Sequence, residues 1–156
     1  MMQTISGTTR QRLEAQGFNL SDNEIVEFNY WLRLAPATCM LWLTVSLIFG
    51  SVFLAGALVP VGLLCFVFAR HPFDAIYNYG LRYLTGGRKL PVYGAPRRFV
   101  CLIAAIMLAS IAISFGLEFF TTAYVIGSSM VGMLFLNVLT GKCGPCGIYN
   151  RIVDAA

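Results

Sequence analysis

Residues 35–69 read APATCMLWLTVSLIFGSVFLAGALVPVGLLCFVFA and carry no charged side chain. A bilayer core takes about 20 apolar residues per helix, with about 17 as the short limit. The tract is too long for one crossing and long enough for two, and Gly50-Ser51 divides it. It predicts a hairpin of helices over 37–50 and 52–69, the second kinked at Pro60. A second tract, 99–140, is broken only by Glu118 and predicts helices over 99–115 and 119–140, joined by Gly116-Leu117-Glu118.

The composition of the whole chain agrees. Of 156 residues 58% are hydrophobic and only 12% charged, with a mean hydropathy of +0.73, which excludes an ordinary soluble domain. The expected fold is an all-α integral membrane protein, with four transmembrane helices forming two pseudo-repeated hairpins (35–70 and 97–141). Its membrane domain covers 35–156 and its first 34 residues lack a cleavable signal pattern.

Orientation follows from the cations. All 11 Lys and Arg lie outside the two hairpin turns: Arg10, Arg12 and Arg33 before the first tract, Arg70, Arg82, Arg88, Lys89, Arg97 and Arg98 between the tracts, Lys142 and Arg151 after the second. Cationic loops stay cytoplasmic, so both termini and the central connector are expected on that side. The net charge of +4 then reflects topology and attraction to membrane lipids. It gives no reason to expect nucleic acid as a partner.

Polar flanks complete the layout. Residues 1–20 lack apolar periodicity and read as a flexible tail. Ser21-Asp22-Asn23-Glu24 reads as a capping box opening a helix over 21–34. Its stripe of Ile25, Phe28, Trp31 and Leu32 suits an amphipathic helix in the membrane interface, separated from the first crossing by Pro36. A second interfacial segment spans 71–85, with Phe73, Ile76, Tyr77, Leu81 and Leu84 as its buried side, and a third spans 143–153. The stretch 88–98, with two prolines, is a connector.

The second and third of these segments align at a shift of 72. Arg70-His71-Pro72-Phe73-Asp74-Ala75-Ile76-Tyr77-Asn78 lies over Lys142-Cys143-Gly144-Pro145-Cys146-Gly147-Ile148-Tyr149-Asn150. Two hairpins that each leave the membrane on the same side imply a parallel internal repeat. That geometry would put His71/Asp74 and Cys143/Cys146 at one depth.

The chemistry on offer is mostly sulfur. Cys39, Cys65 and Cys101 lie in apolar helical sequence and read as inert small hydrophobes. A structural disulfide framework is not expected on a cytoplasmic face. Cys143 and Cys146 differ: a Cys-x-x-Cys opening a helix exposes the first sulfur to unpaired amides and the positive dipole end, which favours the thiolate. No strand–helix alternation accompanies them, so the thioredoxin motif is present without the thioredoxin fold. The same sulfurs with His71 and Asp74 would make a mixed ligand set for zinc or another thiophilic metal.

The two hairpins, the exit HPFDAIYNYGLRYL (71–84) and the terminal GKCGPCGIYN (141–150) resemble the bacterial inner-membrane family catalogued as domain of unknown function 4395. The resemblance covers about 35–150. It implies a four-helix protein of the inner (cytoplasmic) membrane with a Cys-x-x-Cys after the last helix, and carries no activity with it. Two functions stay open. One is thiol–disulfide electron transfer or soft-metal handling at Cys143 and Cys146, with a thioredoxin-like protein or a quinone as electron partner. The other is a non-enzymatic accessory subunit of a larger respiratory or photosynthetic membrane complex, or of a homo-oligomer. Transport of a small solute lacks a visible polar pathway.

Overall fold

The computed structural model describes residues 7–155, and among these every regular element is helical. In chain order they are α1 (Gly7–Ala15), α2 (Asp22–Trp31), α3 (Leu34–Phe49), α4 (Val52–Phe68), α5 (Asp74–Ile76), a π-helical turn (Tyr77–Leu81), α6 (Arg82–Thr85), α7 (Ala95–Gly116), α8 (Phe120–Thr140) and α9 (Gly144–Asp154). Helices α3, α4, α7 and α8 form a ring of antiparallel neighbours, in which α4 lies against α7 and α3 against α8.

Three segments are long and apolar enough to cross a membrane: 22–49, in which α2 and α3 run nearly end to end, then α7 and α8. The apolar α4 has 17 residues, about 25 Å at 1.5 Å per residue, and continues as helix through Pro60. Gly50 ends α3 with φ 55, and Ser51 caps α4 by accepting the Leu54 amide at 3.3 Å. A two-residue turn therefore suffices.

The bundle interior is built from Leu43, Leu47, Leu58, Leu108, Ile111 and Phe115. Close approach comes from glycine. A Cβ at Gly62 would meet Ala105 Cβ at 3.0 Å and the Cys101 carbonyl at 3.1 Å, and one at Gly127 would overlap Leu47. The outer faces carry large exposed apolar side chains, among them Leu41, Ile48, Phe53, Val67, Ile106 and Val125, which suggests membrane association.

A second core sits at the end where the cations gather, with Phe18, Ile25, Phe28, Leu32, Tyr77 and Tyr93 at its centre. It corrects three expectations. The stripe of α2 packs on protein instead of lying on lipid, with Ile25, Phe28 and Leu32 all buried. Pro36 does not separate the helices, because it falls in the first turn of α3, where its missing amide has no partner to lose. Residues 7–20 of the expected flexible tail form α1 and its following turn, burying Leu13, Gln16 and Phe18; the remainder, 1–6, lies outside the described residues. In the segment 71–85 the π turn shifts the helical phase, so Tyr77 is buried while Ile76 and Leu84 face outward.

Polar side chains fix this layer to the bundle. Arg33 donates to the carbonyls of Val138 and Leu139, Arg12 to that of Thr140 and Gln16 to that of Gly141, at 2.8–3.1 Å. These are the last carbonyls of α8 and its cap, which lack helical partners and attract cations. Glu24 accepts from both the amide and the hydroxyl of Ser21, and the expected capping box is present. The repeated Ile-Tyr-Asn serves a parallel purpose in each copy: Asn78 accepts the Leu90 amide at 2.9 Å and Asn150 donates to the Ala15 carbonyl at 2.8 Å.

Gly94, the residue before α7, lies directly on Gly17, and a Cβ at Gly94 would stand 2.6 Å from the Gly17 Cα. Both contacts are backbone, so neither side can yield cheaply. Gly94→Ala is expected to destabilise by about 1–3 kcal/mol, whereas Gly56→Ala in α4, with open space around it, leaves stability unchanged or gains up to about 1 kcal/mol from helix propensity. Thermal unfolding in detergent checks both.

Candidate functional site: a cavity shared by three cysteines

The chain leaves α4 through Ala69 in a left-handed conformation, φ 54, and its carbonyl accepts the Tyr93 amide at 2.8 Å. That bond brings the connector back over the exit segment. The turn that follows opens with His71, whose Nδ1 accepts the Phe73 amide at 3.3 Å, while its carbonyl takes the Asp74 amide at 2.9 Å. His71 thus stands at the start of the turn that leads into α5, whose N-cap is Phe73 and whose first residue is Asp74. On α9 Cys143 is itself the N-cap residue, so the aligned segments open their helices at different positions.

The environments differ. With Nδ1 accepting, the neutral ring carries its proton on Nε2, which lies 3.5 Å from Cys39 Sγ. Burial, and secondarily the nearby Arg97 cation, hold the His71 pKa down at about 4. Asp74 is buried with one carboxylate oxygen unpaired, and the Tyr93 hydroxyl beside it is likewise unpaired. Burial raises the ionisation range of both. The Tyr93 hydroxyl, the Arg97 cation and the His71 backbone offset that rise for Asp74 in part.

Arg97 enters from the first turn of α7. Its guanidinium, 8% exposed, donates to the Leu32 carbonyl at 2.8 Å and to Gln16 Oε1 at 3.2 Å, and lies 4.5 Å from the centre of the Tyr93 ring. Cys39, His71, Tyr93, Arg97, Cys101 and Cys143 all line one cavity of about 110 Å³ between the ring helices and the polar layer. The repeat thus brings His71 and Cys143 to one cavity. Asp74 and Cys146 do not line it.

Sulfur bonding divides the cysteines. Cys143 and Cys146 are disulfide-bonded, Cα atoms 5.3 Å apart; Cys146 is fully buried and Cys143 partly exposed. Cys65 and Cys101 are also bonded, across α4 and α7 at 6.0 Å. This corrects the expectation that both are isolated hydrophobes: the helices meet closely at Gly62, one turn from Cys65. Cys39 is free. Among the described residues no three His, Cys, Asp or Glu side chains are grouped as a metal site; His71 is engaged with Cys39 and the Phe73 amide.

Cys143 also borders two further spaces. A cleft of about 450 Å³ runs between α1 and α9, lined by Thr8, Gln11, Arg12, Gln16 and Lys142. An apolar groove of about 530 Å³ opens between α7 and α8, lined by Ile103, Met107, Met133 and Ile148, with Asn137 and Lys142 near Cys143. Cys39, Tyr93 and Arg97 were missing from the sequence-derived site. Arg97 carried a signal, a cation placed just inside an apolar helix, while Tyr93 reaches the cavity only through the fold of the connector.

The family model described as Domain of unknown function (DUF4395) matches residues 29–154. The chain belongs to this family. No curated protein and no solved structure matches it. The matched span takes in α3 to α9 and all five cysteines, so the cavity described above lies within the DUF4395 unit, whereas Gln16, which binds Arg97, comes from outside the match.

A histidine whose pKa lies below its unfolded value stabilises the fold while neutral and loses that contribution as pH falls from about 6.5 toward 4. His71→Asn retains a side-chain acceptor for the Phe73 amide but does not titrate. The wild type should therefore lose on the order of 2 kcal/mol across that window that the variant keeps, measured by unfolding at stepped pH in detergent.

Proposed function

We propose that this protein is a thiol–disulfide oxidoreductase of the bacterial inner membrane, with α3, α4, α7 and α8 crossing as two hairpins and both termini cytoplasmic. The distribution of cations supports that orientation, since Arg12, Arg33, Arg97, Lys142 and Arg151 share the end that holds the second core. The observation that carries the redox reading is the placement of Cys143. It is the partly exposed N-cap residue of α9, bonded to a fully buried Cys146, at the meeting point of a polar cleft and an apolar groove.

Such a pair exchanges by a fixed sequence. In the reduced state the Cys143 thiolate, favoured by the α9 amides and Lys142, attacks a partner disulfide, and Cys146 resolves the mixed disulfide. The polar cleft suits a soluble thioredoxin-like partner. The apolar groove, open between two helices that can cross a membrane, suits a quinone as the lipid-phase partner, with Asn137 and Lys142 as donors toward its ring oxygens. Cys143 then stands between the two carriers.

Purified protein in detergent should show a reversible two-electron titration of the Cys143/Cys146 pair against dithiothreitol, read by alkylation and intact mass. Cys146→Ser should accumulate a mixed disulfide at Cys143 with an added small disulfide, and Cys143→Ser should not. A pair that fails to titrate, in protein that remains folded, would return the chain to the accessory-subunit reading. Labelling of Cys143 by a membrane-impermeant reagent in intact cells, from the periplasmic side, would overturn the orientation.

A further inference from the structure

We propose that Cys65 and Cys101 are a second exchange pair, in redox contact with Cys143 and Cys146 across the inner cavity; this rests on the exchange reading of the outer pair. Cys65 has no exposed surface, so a soluble reductant cannot reach it directly. Its bonded partner Cys101 lines the cavity, and Cys143 lines the same cavity from the opposite element, α9. The route from solvent to the inner disulfide therefore leads through the cavity that Cys143 borders.

The cavity is equipped for sulfur anions. Arg97 places a buried guanidinium on its wall, and the neutral His71 ring presents an Nε2 proton that already lies on the sulfur of Cys39. Both stabilise a thiolate formed in a low-dielectric space. The compartment points the same way. A disulfide at the cytoplasmic end of a membrane protein is exposed to a reducing environment, where disulfides that occur are mostly transient and catalytic.

The step balances without an additional oxidant. A soluble dithiol first reduces Cys143–Cys146. The Cys143 thiolate then attacks Cys101 Sγ, a Cys143–Cys101 bond forms, and Cys65 leaves as a thiolate that takes up one proton. Cys146, losing its proton, attacks Cys143 Sγ and re-forms the outer disulfide, and Cys101 leaves as a thiolate that takes the second proton. Two electrons and two protons have moved from the outer pair to the inner pair, and the reverse sequence returns them.

Two variants trap the same intermediate from opposite sides. In Cys146→Ser the free Cys143 attacks the inner disulfide and only the released Cys65 can reverse the step; in Cys65→Ser the free Cys101 attacks the outer disulfide and only the released Cys146 can, so acid quenching before alkylation fixes the linked fraction. Each folded variant, alkylated and digested in detergent, should yield a Cys101–Cys143 linked peptide by mass spectrometry. In the otherwise wild-type chain, Cys143→Ser should slow reduction of Cys65–Cys101 by dithiothreitol about tenfold or more. Absence of the linked peptide from both folded variants, linkage of Cys143 to Cys39 in its place, or unchanged reduction in Cys143→Ser would overturn the proposal. If the outer pair titrates and no linked peptide forms, the inner relay fails alone; if the outer pair does not titrate, both readings fall.

Discussion

The Arg97 guanidinium is the constraint on which the polar end of the molecule depends. A cation with little solvent contact must have its donors satisfied and its charge answered. Here the donors reach the end of α2 through Leu32 and the turn after α1 through Gln16. The charge lies beside the faces of Tyr93 and Phe18 and is felt by Asp74. Segments remote in sequence thus converge on the first turn of α7. The cavity is what remains between that convergence and the bundle below it.

The molecule accordingly has two zones with opposite rules. In the ring of α3, α4, α7 and α8 the apolar groups point both inward and outward, and close packing depends on Gly62 and Gly127. Where helices are apolar on both faces, contact and shape supply the attraction that singles out the inner face. The second core follows the rule of soluble proteins, with buried aromatics, a buried cation and side chains bonded to free carbonyls. His71, Tyr93 and Cys143 stand at the seam, where a polar group can be enclosed without being deep in hydrocarbon.

The helices of the bundle were legible because uncharged length is a direct demand of the bilayer. The four apolar segments begin and end within a few residues of expectation, and the Gly50-Ser51 turn falls where the tract divides. The aligned repeat set His71/Asp74 and Cys143/Cys146 at one depth; of these four, His71 and Cys143 line one cavity. What escaped is set by tertiary contact. A polar N-terminal run becomes a helix because α8 offers it unpaired carbonyls, and Cys65 meets Cys101 because glycine lets α4 and α7 touch; neither cause is local to the residues it governs. Leu84 faces outward beyond a π turn that breaks the 3.6-residue phase.

The attachment of α1 to the end of α8 has one more implication. Its bonds from Arg12 and Gln16 go to carbonyls of 140 and 141, and the same α1 forms one wall of the cleft beside Cys143. The Arg12 contact has a charged donor near water and responds to ionic strength, whereas the apolar packing of α3, α4, α7 and α8 does not. The width of the cleft beside Cys143 is thereby governed separately from the packing of the four-helix ring.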